Sequence, residues 1–212
     1  MRDSTAGVGT LTYYDPANSA YGALGHAITD TDTGSILPVR DGALMRAEVV
    51  DVRKGQRGTP GELRGSFLRE QVKLGSVLKN TVYGIFGQLD SAWSNPLFPG
   101  GLPVGDRAQV HTGAASILST VDGTRIQEYG IEITQVTRQR SAAPKSLVLR
   151  VTDQRLLDKT GGIVQGMSGS PILQDGKLVG AVTHVFLSDP RRGYGISIQD
   201  MLDDAGVLDE AA

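Results

Sequence analysis

The segment Gly162-Ile163-Val164-Gln165-Gly166-Met167-Ser168-Gly169-Ser170-Pro171-Ile172-Leu173 carries the most informative chemistry in the chain. A serine flanked by Gly166 and Gly169 sits on a turn whose small neighbours permit close backbone approach and unusual dihedrals. Acyl transfer needs such a turn. The hydroxyl must project into a cleft while backbone N–H groups converge on the oxygen that becomes negative. The amides of Gly166 and Ser168 are the candidate donors, and Ser170 is the alternative nucleophile. Gly and Ser also dominate ordinary turns. Here, however, Pro171 to Leu173, an Asp175-Gly176 hairpin turn and Lys177 to Val182 follow directly, so the serine precedes a two-stranded unit that can hold it rigidly.

A serine hydroxyl is a poor nucleophile near neutral pH and needs a base within hydrogen-bonding reach. The chain has three histidines. His26 leads: it ends the run Ala23-Leu24-Gly25 and precedes the polar loop Thr29 to Gly34, a good place for a cleft-facing imidazole. His184 lies within the apolar strand Val182 to Phe186 and reads as a pocket-wall or core residue, and His111, before Thr112-Gly113, as a loop residue. A carboxylate should orient the imidazole. Asp153 is preferred, although its place before Leu156-Leu157 also suits a helix N-cap, and Asp30, Asp32 and Asp90 stay open as alternatives.

The elements that must position these groups are mainly strands. Strand candidates are Gly9 to Tyr14, Tyr21 to His26, Ala47 to Val52, Thr81 to Phe86, Ala108 to His111, Ala115 to Val121, Ile131 to Thr137, Leu147 to Val151, Pro171 to Leu173, Leu178 to Phe186 and Tyr194 to Ile198. Helix signals are confined to Asp153 to Lys159, ended by Gly161, and to Ser197 to Leu202. Numerous short strands with one helix near the end predict an all-β barrel or sandwich. The Pro- and Gly-rich stretch Trp93 to Pro103 reads as a loop, joining lobes of residues 1–92 and 104–212 or interrupting one continuous barrel.

At 212 residues the chain can bury a full core without staples. The absence of cysteine excludes thiolate nucleophiles, thiolate-bound zinc and a disulfide framework. A formal charge of −2 offers no basic field for nucleic acid or an anionic membrane, so neither is an expected partner. No apolar run reaches the length of a membrane-spanning helix, and the start lacks the apolar core of a signal peptide, which reads as a soluble chain.

At these residues the chain resembles the sporulation stage IV protein B peptidases, a family of bacterial endospore serine endopeptidases. The likeness runs through Arg2-Asp3-Ser4, Gly7 to Pro16, Tyr21 to His26, Asn80 to Gly87, Thr152-Asp153, Lys159 to Ile172 and Gly180 to Phe186. It implies a trypsin-like double β-barrel with His26 as general base, Asp153 as orienting acid and Ser168 as nucleophile, and no cofactor or metal. It further implies a substrate pocket with its floor near Gly162 and walls from Thr183, His184 and Tyr194, with no acidic residue beside the floor to demand Lys or Arg. Members of the family carry an N-terminal membrane anchor and a PDZ module, so the chain is expected to be the peptidase domain alone. Their enzyme is exported from the forespore into the space between the forespore and mother-cell membranes. There it cuts a membrane-associated protein that restrains an intramembrane metalloprotease, switching on a mother-cell sigma factor.

Two other readings compete. In a non-catalytic β-barrel module or inactive peptidase relative, a strand edge such as Leu178 to Phe186 would pair with an extended peptide without cutting it. An α/β-hydrolase fits less well, because its nucleophile elbow needs Gly-x-Ser-x-Gly between a strand and a helix; Ser170 occupies the last Gly position and strands follow.

Overall fold

Runs of aliphatic, aromatic and β-branched residues broken by Gly, Asp and Pro build thirteen strands and two short helices in the computed structural model, which describes residues 6–67, 73–137 and 145–206. Strands β1 (Leu11–Tyr14), β2 (Ala20–Ala23), β3 (Gly42–Met45), β6 (Lys73–Thr81) and β7 (Gly84–Leu89) form an antiparallel sheet in the order β1-β2-β7-β6-β3. Strands β8 (Gly113–Thr120), β9 (Ile126–Val136), β10 (Leu147–Val151), β11 (Pro171–Gln174), β12 (Lys177–Phe186) and β13 (Asp189–Ser197) close into a barrel in the order β10-β13-β12-β11-β8-β9. This is an all-β architecture, with the second half of the chain closed into a six-stranded barrel and the first sheet open, with five strands. Closure leaves the barrel no free edge except where a strand outruns its neighbour.

The barrel interior is filled by side chains without measurable exposure, among them Ile117, Ile133, Leu149 and Ile172. The ribbon of β4 (Ala47–Arg53) and β5 (Glu62–Phe67) comes from the first half of the chain but belongs to this core: Leu63 is buried in it, and its N–H donates to the Gln165 carbonyl at 2.8 Å. A second cluster joins Tyr13 and Phe86 of the first sheet to Met201 and Leu202 of the terminal helix α2 (Ile198–Ala205). The two sheets are therefore welded through shared apolar packing, which fixes the residues between them.

Most strand expectations match, and the exceptions have local causes. The run Thr81 to Phe86 is divided between β6 and β7 by a turn at Val82-Tyr83, with Gly84 at φ 141°. Ala108 to His111 is a turn, because the Asp106 carboxylate accepts the Ala108 N–H at 2.7 Å and the Asp106 carbonyl accepts that of Gln109. Strands β3, β5 and β6 lack a clean apolar alternation. Gly75 shows why: a methyl built there would stand 2.2 Å from the Gln88 carbonyl, so the β6–β7 approach requires a residue with no strand propensity. Asp175 (φ 52°) and Gly176 (φ 72°) make the hairpin turn read from their types.

The expected helix appears as α1 (Gln154–Thr160), closed by Gly161 in the left-handed conformation at φ 76°. Asp153 is its N-cap, accepting the Arg155 N–H at 2.9 Å. The Arg155 guanidinium beside it lowers the carboxyl from 3.8 to about 2. Asp153→Ala should cost about 1–2 kcal/mol in urea-induced unfolding, while Asp153→Asn, which still caps, should cost less. Because this pKa is depressed, the charged group's contribution is present above pH 3.8 and is lost as pH falls toward 2. The stability gap between wild type and Asn should narrow over that window.

Candidate active site

The serine turn is gripped by the N-terminal strand. The Thr10 N–H donates to the Ser168 carbonyl at 2.9 Å, the Thr10 hydroxyl to the Gly166 carbonyl at 3.3 Å, and the buried Thr12 hydroxyl to the Gly169 carbonyl at 2.8 Å. Gly169, at φ 90°, is what allows this approach. A methyl there would lie 2.1 Å from the Thr10 carbonyl and 2.5 Å from the Leu24 nitrogen.

With those carbonyls held, the donors of the turn divide into used and unused. Met167 N–H bonds the Val164 carbonyl, Gly169 N–H that of Val182, and Ser170 N–H that of Met167. The N–H groups of Gly166, at φ 95°, and Ser168 donate to nothing among the described residues. Acyl transfer requires free backbone donors beside the nucleophile, and these two amides are available for that role. Ser168 is part-exposed, whereas Ser170 has no measurable exposure and its hydroxyl has no hydrogen-bond partner among the described residues. Of the two serines read from the sequence, Ser168 is the one a substrate can reach.

His26 is delivered to the same place by the end of β2. Leu24 (φ 69°) and Gly25 (φ 70°) both turn left-handed, a conformation costly for leucine. Gly25 packs so closely on β12 that a methyl would stand 2.9 Å from Thr183 Cγ2. The Ser168 hydroxyl donates to the Thr183 carbonyl at 3.0 Å, and the His26 ring lies 5.0 Å, centroid to centroid, from that of the next residue, His184. Imidazole and serine are thus brought to the same short stretch of β12. In this arrangement the hydroxyl proton rests on Thr183 rather than on His26.

The orienting group of His26 is one that sequence reasoning missed. Its Nδ1 lies 2.8 Å from the Ala27 carbonyl. A carbonyl only accepts, so in this contact Nδ1 is the donor, which in the neutral ring leaves the lone pair on Nε2. Asp153 is not brought to this ring. Its oxygens are engaged by the Arg155 N–H and guanidinium and by the Gly130 N–H at 3.2 Å, at the start of α1. Asp30 is held by Thr33 and Asp32 within its own loop, and Asp90 faces Lys73 at 3.9 Å. Among the described residues no carboxylate hydrogen-bonds to His26. No sequence signal marks a backbone carbonyl for this role, because every residue has one.

The residues expected to line a pocket lie on β12, β13 and the segment before the serine turn. Tyr194 is paired with His184 across β12 and β13, and Thr183 is buried at the bulge between them. Gly162 lies against Pro190, where a methyl would meet the carbonyl oxygen at 2.2 Å. Asp189, next to Pro190, is paired with Arg191 at 2.9 Å, which keeps its carboxyl below the usual range. Burial, then the nearby His26 and Lys145, depress His184 to about 4, so it is neutral beside the base. His111 stands elsewhere, bonded to Asp175 and the Thr112 carbonyl. Among the described residues no group of three or more His, Asp or Glu side chains is arranged to hold a metal, and no helix is long and apolar enough to cross a membrane.

The grip on the turn is testable. Thr12→Val keeps the shape of the side chain but leaves the Gly169 carbonyl buried without its donor, which should cost about 1–3 kcal/mol in urea-induced unfolding. A variant as stable as wild type would show that Thr12 does not hold the turn.

No curated protein matches the chain. Among solved structures, the active form of the Rv3671c protease from M. tuberculosis aligns at 13% identity over 97% of this chain and 93% of that one, with a TM-score of 0.46. Human heparin binding protein aligns at 12% identity over 90% of this chain and 74% of that one, with a TM-score of 0.42. At this distance neither likeness speaks to the chemistry of the chain. A family model described as SpoIVB peptidase S55 matches residues 1–202, and by that match across nearly the whole length the chain belongs to the SpoIVB peptidase S55 family.

Proposed function

We propose that this peptidase is a serine endopeptidase in which Ser168 is the nucleophile, His26 the general base, and the amides of Gly166 and Ser168 the oxyanion donors. The observation that carries the reading is the pair of unpartnered N–H groups beside a reachable hydroxyl, with His26 delivered to the same stretch of β12. Rotation about the Ser168 χ1 bond releases the hydroxyl from the Thr183 carbonyl toward Nε2 of His26. The oxygen then attacks the substrate carbonyl carbon while Nε2 takes the proton. The resulting oxyanion is met by the two amides. His26 returns the proton to the leaving amine, and water repeats the sequence on the acyl-enzyme. The Ala27 carbonyl holds the ring in the tautomer this requires, and the neutral His184 adds no opposing charge as His26 becomes cationic.

Family membership supports the wider setting. In that setting the substrate is a membrane-associated regulator of an intramembrane metalloprotease, cut between the forespore and mother-cell membranes in the signal that activates a mother-cell sigma factor, and a PDZ module of the full-length protein acts in cis.

Two observations favour a second reading, a non-cutting peptide-binding relative: the Ser168 hydroxyl is bonded to Thr183, and among the described residues no carboxylate hydrogen-bonds to His26. A fluorophosphonate probe separates the two. Wild type should be labelled once, Ser168→Ala not at all, and Ser170→Ala still at Ser168. His26→Ala should label about a hundredfold or more slowly. Wild type that stays unlabelled while folded favours the binding module.

Asp153→Asn tests the orienting group separately. It should label and cleave within a few-fold of wild type if Ala27 is sufficient. A loss of about ten-thousand-fold would show that the carboxylate reaches His26 during turnover.

A further inference from the structure

Beyond the catalytic groups, β12 carries a second built feature. Its pairing with β11 ends at Ala181, and the last contact on that side is the Gly169 N–H on the Val182 carbonyl, whereas its pairing with β13 continues to Phe186. From Thr183 onward, one side of β12 is a strand edge that begins at the carbonyl holding the Ser168 hydroxyl. An extended peptide adding to this edge would run past His184 toward Phe186.

The face along that path is aromatic and cationic. The Phe186 and Tyr194 rings are 4.5 Å apart, Lys145 Nζ sits 4.9 Å from the Tyr194 centroid, and the Arg192 guanidinium carbon lies 5.0 Å from that of Phe186. The four side chains form one continuous stack, cation over ring at each end. Neither cation is in an ion pair among the described residues, although Arg191, the neighbour of Arg192, is paired with Asp189. Other cations also lack an ion pair among the described residues, Arg46 over Trp93 among them; what sets Lys145 and Arg192 apart is that they flank one aromatic pair beside His184. The stack is also close to the chemistry: Tyr194 is paired with His184, whose ring is 5.0 Å from His26, and the Lys145 charge is among the causes that depress His184.

We propose that this stack is a specificity subsite for acidic peptide side chains, so that the preferred substrate carries Asp or Glu within a few residues of the cut bond. The rings give the side-chain stem an apolar bed, and Lys145 and Arg192 meet the carboxylate from either end. This deepens the endopeptidase reading and rests on it for the cut, but peptide binding at the edge does not require cutting.

The test has two arms. In the first, wild type cleaves matched peptide libraries with Glu, Gln or Lys scanned around the scissile bond. At low salt the best Glu-containing peptides should show kcat/KM about fivefold or more above their Gln counterparts, a preference that shrinks toward unity at 1 M salt. Lys145→Glu and Arg192→Glu should each reduce it, and the double variant should favour Lys instead. Lys145→Gln and Arg192→Gln serve as milder substitutions should charge reversal disturb folding. In the second arm, Ser168→Ala is titrated with fluorescent acidic and neutral peptides, and the acidic ones should bind severalfold more tightly. Equal rates and equal binding for Glu and Gln peptides, or a Glu preference untouched by both charge reversals, would overturn the subsite. Absent cleavage with preferential acidic binding would leave the subsite standing and sink the endopeptidase reading alone.

Discussion

The active site depends on a backbone contact between the beginning and the end of the chain. Thr10 and Thr12 hold the carbonyls of Gly166, Ser168 and Gly169, and Gly169 lies on Leu24 with no room for a side chain. That contact does two things together. It ties the carbonyls of the serine loop to Thr10 and Thr12, while the Gly166 and Ser168 amides have no partner among the described residues. It also brings Leu24-Gly25, and hence His26, onto β12. Ser168, its two unpartnered amides and His26 are positioned by the same few hydrogen bonds.

The strain in this arrangement sits where the chemistry is. Leu24 adopts a left-handed conformation immediately before Gly25 and His26, and Ser170 and Thr183 bury hydroxyls without hydrogen-bond partners. Each is unfavourable on its own. They are held by the closed barrel beneath β11 and β12, by the β4–β5 ribbon inserted through Leu63, and by the apolar cluster that joins Tyr13 and Phe86 to α2. The rigid core is what lets the turn above it stay in a conformation that its own residues would not choose.

The orientation of His26 shows how a role can be filled by an unexpected group. A carboxylate supplies both direction and charge to an imidazole, whereas a backbone carbonyl supplies direction and only a dipole. In this structure Asp153 spends its charge on Arg155 and the α1 N-terminus, and Ala27 fixes the tautomer. Lys145 and Arg192, which make no ion pair among the described residues, rest on the rings beside His184.

Much of this was legible in the residues alone, because local chemistry has local signatures. The Gly-x-Ser-Gly turn, the Asp175-Gly176 hairpin, the capped helix between Asp153 and Gly161, and most strands follow from side-chain sterics and hydrogen-bonding capacity within a few residues. Strands such as β6 were hidden, since their glycines answer to a neighbouring strand rather than to their own propensity. Tertiary structure alone decided the rest. It determined that Ser170 is buried, that Asp153 serves α1, that Thr10 and Thr12 grip the turn, and that a carbonyl faces His26. Those outcomes depend on distances between segments far apart in the chain, and on backbone groups that every residue shares, so no pattern of residue types encodes them.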